Sequence, residues 1–153
     1  MDLYDNPNLK WERYIGDPDK QREEFNWPID YSGTILDIRE DGVVEALYRW
    51  APNSYCHFHR HVAPTTSLVL QGELHVTDIV GGKKKKMTIR RPGDWSHKSE
   101  TEDHMEMGGP EGALVLFFIK SENGALTQQL NGNGEVLRTI TIDALKKKRE
   151  ALI

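Results

Sequence analysis

The sequence predicts an all-β protein, built as a sandwich or barrel, and three observations support this. From Gly33 onward, short segments rich in β-branched and aromatic residues recur with turn signals between them. The turns leave no room for the helices of roughly 10–15 residues that a parallel βαβ fold requires. The run 113–119, ALVLFFI, is apolar on both faces, which indicates a strand buried between two layers.

The chain has 153 residues, and we expect residues 1–153 to form one domain. Residues 1–31 are polar, aromatic and proline-containing, and are predicted to be an arm that packs on the domain. Asp17-Pro18 could start a short helix at 18–25. Residues 143–152, DALKKKREAL, predict a C-terminal helix with Asp143 as N-cap and basic residues toward its carboxyl end.

Residues 33–142 are assigned to the β-barrel. Its predicted strands are 34–39, 43–50, 56–61, 66–71, 73–80, 87–91, 94–97, 104–107, 113–119 and 135–142. Turns are predicted at Asp41-Gly42, Gly81-Gly82, Pro92-Gly93, Gly108-Gly109-Pro110 and 131–134. The basic run from Lys83 to Lys86 then becomes a solvated hairpin tip.

Composition and charge narrow the classes of function. The chain is 37% apolar and 29% charged with a net charge of -4, which is typical of a globular protein and argues against nucleic acid as a partner. The amino terminus lacks a signal-peptide pattern, and no apolar run reaches membrane-spanning length. The single cysteine, Cys56, excludes an internal disulfide and is either structural or a reactive thiol. We expect a cytoplasmic protein without membrane contact.

Three of the six histidines lie in one predicted strand. His57, His59 and His61 alternate along residues 56–61, so their side chains should share one face. Imidazoles clustered in this way are typical of a divalent metal site. A metal normally needs a further ligand from another segment, and the remaining histidines are His75, His97 and His104.

Residues 53–104 resemble the two sequence motifs of the cupin superfamily, small β-barrels that hold a metal inside. The first motif is G-x5-H-x-H-x3,4-E-x6-G. With His59 and His61 as the histidine pair, Thr65 stands at the glutamate position, Gly72 at the closing glycine and Asn53 at the opening glycine. A pair formed by His57 and His59 would not fit this spacing, so the resemblance selects His59 and His61.

The second cupin motif is usually preceded by a Gly-Asp pair, which Gly93-Asp94 resembles. His104 has the expected spacing from this pair, whereas His97 comes too early. The usual Pro-x-Gly is replaced by SETED at 99–103. The resemblance therefore implies His104 as the third ligand and a cupin (RmlC-like) fold, a double-stranded β-helix or jelly-roll barrel.

Threonine supplies no anionic oxygen at neutral pH, so Thr65 at the glutamate position predicts a site of three neutral imidazoles. This substitution resembles a subgroup that includes acetylacetone-cleaving dioxygenases and ChrR-like cupins. The resemblance implies a non-heme Fe(II)-dependent dioxygenase that uses O2 to cleave a C–C bond of a small enolisable carbonyl compound, of the β-diketone or hydroxyketone type. Three facial imidazoles leave about three positions of an octahedral ion open, and their neutrality favours an anionic enolate.

Other functions stay open at this point. The same histidines would bind Zn, Ni or Mn in a non-oxidative isomerase or lyase. A metal- or ligand-sensing cupin module and a metal-free structural barrel are further alternatives. A homodimer or homotetramer is expected, because exposed sheet edges, the arm and the apolar strand offer surfaces for pairing.

Further candidate site residues follow from strand alternation and proximity. Gln71 and Glu106 are predicted to face inward, where either would orient an imidazole or act in catalysis; the alternative for each is an ordinary polar residue. Glu100 is a candidate base or part of a solvated loop. Three roles stay open for His57: a hydrogen-bond donor at the barrel mouth, an alternative metal ligand, or a surface residue. The residues expected to be structural are His75, His97, Trp50 and Trp95, with Trp95 also a candidate wall of the substrate pocket.

Overall fold

The computed structural model describes residues 5–16, 28–99 and 101–151. The strands in these ranges are β1 (Glu12–Gly16), β2 (Ile29–Ile38), β3 (Val43–Trp50), β4 (His59–His61), β5 (Thr65–Val80), β6 (Lys83–Arg90), β7 (Trp95–Lys98), β8 (Glu102–Lys120), β9 (Ala125–Leu130) and β10 (Val136–Thr141), and the helix is α1 (Ile142–Ala151). The all-β prediction is confirmed. The short helix predicted at 18–25 lies outside the described residues, as does residue 152 at the end of the predicted C-terminal helix.

The strands form one sheet that curls into a half-barrel. Its order is β1-β2-β3-β8-β4-β9-β10, and β5 pairs with β6, β7 and β8. β8 is the central strand: its second half lies between β3 and β5, and its first half pairs with β4 and β5. This arrangement places the histidine strand β4 directly beside the first half of β8.

The two longest strands, β5 and β8, each continue through a turn or break that the sequence predicted. The predicted turn at Gly108-Gly109-Pro110 lies inside β8, where the pairing with β5 shifts register. Gly72 and Gly112 face each other there with φ of 69° and 79°, and a Cβ on Gly72 would collide with the carbonyl oxygen of Gly112. Glycine at these two positions permits a bulge that bends both strands without ending their pairing.

Two described strands were missed by the sequence patterns. β1 lies in the predicted arm and pairs with β2, where Arg13 makes a bidentate ion pair with Asp30 at 2.8 and 3.0 Å. β9, ALTQQL, pairs with β4 and β10. The predicted histidine strand 56–61 is shorter than expected, because β4 begins at His59.

The core lies between the curled layers of the sheet. The strand predicted to be buried on both faces is the second half of β8, and most of its side chains are buried. Trp50 packs in the core with 3% exposure, but Trp95 on β7 is 63% exposed, so its predicted packing role is wrong. The lysines at 83–86 follow the turn at Gly81-Gly82 and are exposed, as expected for a hairpin tip. Within the described residues, no helix has the length and apolar character needed to cross a bilayer.

Candidate metal centre

Four potential ligands converge on one point inside the half-barrel. β4 supplies His59 and His61, and β8 supplies His104 and Glu106. His59 pairs directly across from His104 in the antiparallel register, and each strand contributes alternate residues to the same face. The ligand atoms all lie within 4.8 Å of one another. The structure thus brings together the three histidines that the motif resemblance selected.

The rings of His59 and His104 are oriented by oxygen atoms behind them. His59 Nδ1 lies 2.7 Å from the carbonyl oxygen of His57, and His104 Nδ1 lies 3.2 Å from Glu102 Oε1. A carbonyl or carboxylate oxygen only accepts hydrogen bonds, so each Nδ1 donates its proton. In the neutral rings the lone pairs are then on Nε2, which faces the cluster.

His61 is oriented in the same way by a hydroxyl group. Its Nδ1 lies 3.0 Å from Thr65 Oγ1, and that hydroxyl donates to the carbonyl oxygen of Ala63 at 3.0 Å. Because the hydroxyl proton is used on Ala63, the threonine oxygen accepts from His61 Nδ1. The residue at the motif's glutamate position therefore fixes the tautomer of a candidate ligand, and Thr65 itself is not part of the cluster.

The spacing of the inward atoms fits a metal ion. His59 Nε2 lies 2.9 Å from His104 Nε2 and 3.2 Å from His61 Nε2. Glu106 Oε1 lies 3.1 Å from His59 Nε2 and 3.2 Å from His104 Nε2. Ligands about 2.1 Å from a common ion and at right angles to one another are about 3.0 Å apart. Lone pairs on neutral imidazoles repel at such distances unless a cation lies between them, so the residues fit a divalent ion.

The electrostatics of the cluster also favour a positive charge. Burial lowers the pKa of His104, but the carboxylates of Glu106 and Glu102 outweigh burial and raise it to about 9. Burial would raise the pKa of Glu106, yet the neighbouring His104 and His59 hold it well below its usual value. His61 has a pKa well below its usual value, because it is buried and lies beside those two rings. Without a metal, protons on His59 and His104 would supply the charge that the carboxylate attracts.

The expected site of three neutral imidazoles is corrected by Glu106. This residue is 3% exposed and lies two positions after His104 on β8, so strand alternation aims it into the cluster. The glutamate that the cupin motif lacks at Thr65 is thus offset by a carboxylate from another strand. The candidate donor set is three histidines and one glutamate.

A cavity of about 120 Å³ extends from the cluster to the surface. Its walls include several aromatic side chains, among them Tyr31, Tyr48 and Phe117. His57 lines this cavity as well, and its Nδ1 lies 2.9 Å from the Tyr31 hydroxyl. At the mouth the lining includes Arg138 and Lys148.

The other predicted site residues lie elsewhere. Gln71 is exposed, because a register shift between Val69 and Gln71 breaks the alternation from which its inward direction was predicted. Glu100 lies outside the described residues. His75 contacts Glu73 at 3.0 Å and His97 contacts Thr66 at 2.7 Å, each away from the cluster.

Solved structures resemble this chain at low sequence identity. An acetylacetone dioxygenase from Acinetobacter johnsonii superposes with a TM-score of 0.70 at 15% identity, over 100% of this chain and 93% of that one. An RmlC-like cupin protein from Ralstonia eutropha has a TM-score of 0.70 at 10% identity, over 99% and 85%. Oxalate decarboxylase from Bacillus subtilis has a TM-score of 0.55 at 21% identity, over 65% of this chain and 28% of that enzyme.

These likenesses define the class of protein by its fold. The chain has the cupin fold, as the sequence predicted, and it carries a candidate metal site of three histidines and one glutamate. At the level of sequence, no family model and no curated protein matches this chain. Because two of the similar structures are a dioxygenase and a decarboxylase, the fold alone does not select a reaction, and the site must be considered for itself.

Proposed function

We propose that this protein is a non-heme Fe(II)-dependent dioxygenase that cleaves a C–C bond of a small enolisable carbonyl compound, of the β-diketone or hydroxyketone type. The observation that carries the proposal is the cluster of His59, His61, His104 and Glu106 at the inner end of an aromatic-lined cavity. For an unsubstituted β-diketone, the reaction adds both atoms of O2 and gives a carboxylic acid and a 2-oxoaldehyde. An acetylacetone dioxygenase has a similar fold, so a fold of this kind can accommodate such a reaction.

The four clustered residues would hold the ion. When bound, Fe(II) would supply a positive charge that stabilises the enolate and a reductant for O2. Imidazole nitrogens combined with a carboxylate are a donor set that suits Fe(II). The hydrogen bonds that the three rings donate to the carbonyl of His57, to Thr65 and to Glu102 would keep them in the binding tautomer.

The lining residues have separate roles in this proposal. Glu106 is the only carboxylate among the described residues that line the cavity, so it accepts the proton that the enolisable carbon loses. Tyr31 and His57 form a polar pair on the wall that donates a hydrogen bond to a substrate oxygen. Phe117 and Tyr48 exclude water from the reacting carbons.

The test begins with metal analysis of protein purified without chelators. The protein is then loaded with Fe(II) under anaerobic conditions, and oxygen uptake is measured with a panel of β-diketones and hydroxyketones. We expect iron-dependent uptake that His104→Ala abolishes and His97→Ala leaves unchanged, because His97 is an exposed histidine outside the cluster. Oxygen uptake that does not require iron, or that survives in His104→Ala, would refute the proposal.

The second candidate function is a non-oxidative isomerase or lyase that uses Zn, Ni or Mn as a Lewis acid. The presence of Glu106 in the cluster favours it, because a carboxylate oxygen beside imidazoles also suits these ions. The same panel separates the two functions: conversion of the carbonyl compounds with zinc or manganese under nitrogen would support the non-oxidative function.

A further inference from the structure

The cavity mouth carries a guanidinium group that pairs with no carboxylate in the part of the chain that the structure describes. Arg138 lies on β10, and among the described residues it has no ion-pair partner within 4.0 Å. Its neighbour at the mouth, Lys148, is different, because it pairs with Glu12 at 3.1 Å and contacts the Tyr14 hydroxyl at 2.8 Å. Of these two cations at the opening, Arg138 is the one without an ion-pair partner in the described ranges 5–16, 28–99 and 101–151.

The guanidinium is held in position by one side chain. Arg138 Nε donates to Gln129 Oε1 at 2.9 Å, and the two residues are paired across β10 and β9. With Nε engaged, the two terminal nitrogens are left to bind a planar anion through two parallel hydrogen bonds. An arginine used in this way recognises a carboxylate better than a lysine does.

The sheet sets the separation between this cation and the metal centre. Gln129 pairs with Arg138 on one side and with His59 on the other, so Arg138 and His59 lie two strands apart. Neighbouring strands are about 4.8 Å apart, which puts the two backbones about 10 Å from each other. All three side chains line the same cavity. A single small molecule can therefore reach from the cluster to the guanidinium.

The cavity lining offers the guanidinium no anion of its own. Among the described residues that line the cavity, the carboxylate of Glu106 lies at the metal cluster, and no carboxylate lies beside Arg138 at the mouth. Burial raises the pKa of the Tyr31 hydroxyl, so this wall residue is not a competing anion. A carboxylate on the ligand would supply the missing partner.

Building on the proposed dioxygenase function, we propose that Arg138 binds a carboxylate of the substrate. The substrate is then an enolisable carbonyl compound with a carboxylate at one end, whose carbonyl oxygens face the metal centre while the carboxylate lies at the mouth. Arg138 is a specificity-determining residue in this arrangement, and Gln129 positions it.

Binding of three probes to metal-free and zinc-loaded protein by isothermal titration calorimetry tests this. The probes are 3,5-dioxohexanoate, its methyl ester and acetylacetone, which share the 1,3-diketone but not the carboxylate. A charge-assisted pair predicts that the wild-type protein binds the acid about tenfold or more tightly than the ester. We expect Arg138→Gln to remove this preference and Arg138→Lys to restore part of it, while affinity for the ester changes little.

Lys147→Gln is the matched control, because it removes one positive charge from an exposed position of α1 that does not line the cavity. It should retain the preference for the acid. Equal affinity of wild-type protein for acid and ester, failure of both to bind, or an equal loss of both in Arg138→Gln would overturn the inference. Zinc affinity equal to that of the wild type would show that Arg138→Gln keeps its fold and cluster.

Failure of the proposed function gives a different result. If the acid binds through Arg138 but the iron-loaded protein consumes no oxygen with it, the dioxygenase proposal fails and the carboxylate site stands. If oxygen is consumed equally fast with acetylacetone and with the acid at low concentrations of each, the function stands and the role of Arg138 fails.

Discussion

Replacing Thr65 by valine tests the tautomer argument at the metal centre. Valine has nearly the shape of threonine, so the substitution leaves no cavity but removes the oxygen that accepts from His61 Nδ1 and the hydroxyl that donates to Ala63. His61 is 7% exposed and water has little access to the orphaned N–H group. An unsatisfied buried donor costs about 1–3 kcal/mol, which we expect as the loss in free energy of unfolding of the metal-free protein.

The effect on metal binding has the same origin. Without the threonine oxygen, the His61 ring either keeps an N–H group that has no acceptor or moves the proton to Nε2. The second outcome blocks the nitrogen that faces the cluster. Loss of such an orienting hydrogen bond typically lowers metal affinity about 10–100-fold. Zinc affinity is measured by competition with a chelator, unfolding by urea titration, and the tautomer by nitrogen NMR of the histidine rings.

Thr65→Ser is the control, since it keeps the hydroxyl and should bind zinc close to the wild-type affinity. The reasoning is refuted if Thr65→Val binds zinc as tightly as the wild type and keeps its proton on His61 Nδ1. It also fails if serine and valine lower the affinity equally, because then the methyl packing and not the hydroxyl would matter.

Three further predictions concern the cluster, the bulge and the arm. Glu106→Gln keeps the volume but removes the anion, so we expect it to bind zinc at least about tenfold more weakly in the chelator assay; unchanged affinity would exclude the carboxylate as a ligand. Gly72→Ala places a Cβ against the carbonyl oxygen of Gly112 at a φ of 69°, and should lower the free energy of unfolding by more than about 1 kcal/mol in urea titrations. Arg13 lowers the pKa of Asp30 in the folded protein. The pair therefore stabilises the fold above the unfolded pKa near 4, and this stabilisation is lost as pH falls through the folded pKa. Arg13→Gln should lower the free energy of unfolding by about 0.5 kcal/mol at pH 7 and by nothing measurable near pH 2.

The sequence was sufficient to predict the fold and the positions of three clustered histidines. Alternation within β4 and the cupin spacing are local signals, and both depend on short-range geometry that the structure keeps. Asn53 is an example: it stands at the motif's opening glycine and has φ of 55°, a conformation that asparagine tolerates better than most residues. The motif's backbone requirement is met although its glycine is absent.

The sequence-based predictions that were wrong concern residues whose conformation depends on pairing between strands that are distant in sequence. Gly108 to Pro110 have turn composition, yet β5 pairs on both sides of them and β8 continues through the bulge. Strand alternation predicts that Gln71 faces inward, but a register shift in the same region turns its side chain outward. Alternation along a strand predicts the direction of a side chain only as far as the next bulge. Bulges of this kind depend on contacts that the periodicity of the sequence does not reveal.

The carboxylate of Glu106 changes the chemistry expected of the site. Three neutral imidazoles would leave a divalent ion with its full charge, whereas a cluster that includes Glu106 would lower the net charge to one. Under the proposed function, Glu106 would both help to hold the ion and accept the proton that the substrate loses. A protonated carboxyl group holds a cation less tightly than a carboxylate does, because it no longer carries a negative charge. Enolisation of the substrate would thus be coupled to the strength of the cluster through one buried side chain, which three imidazoles alone would not provide.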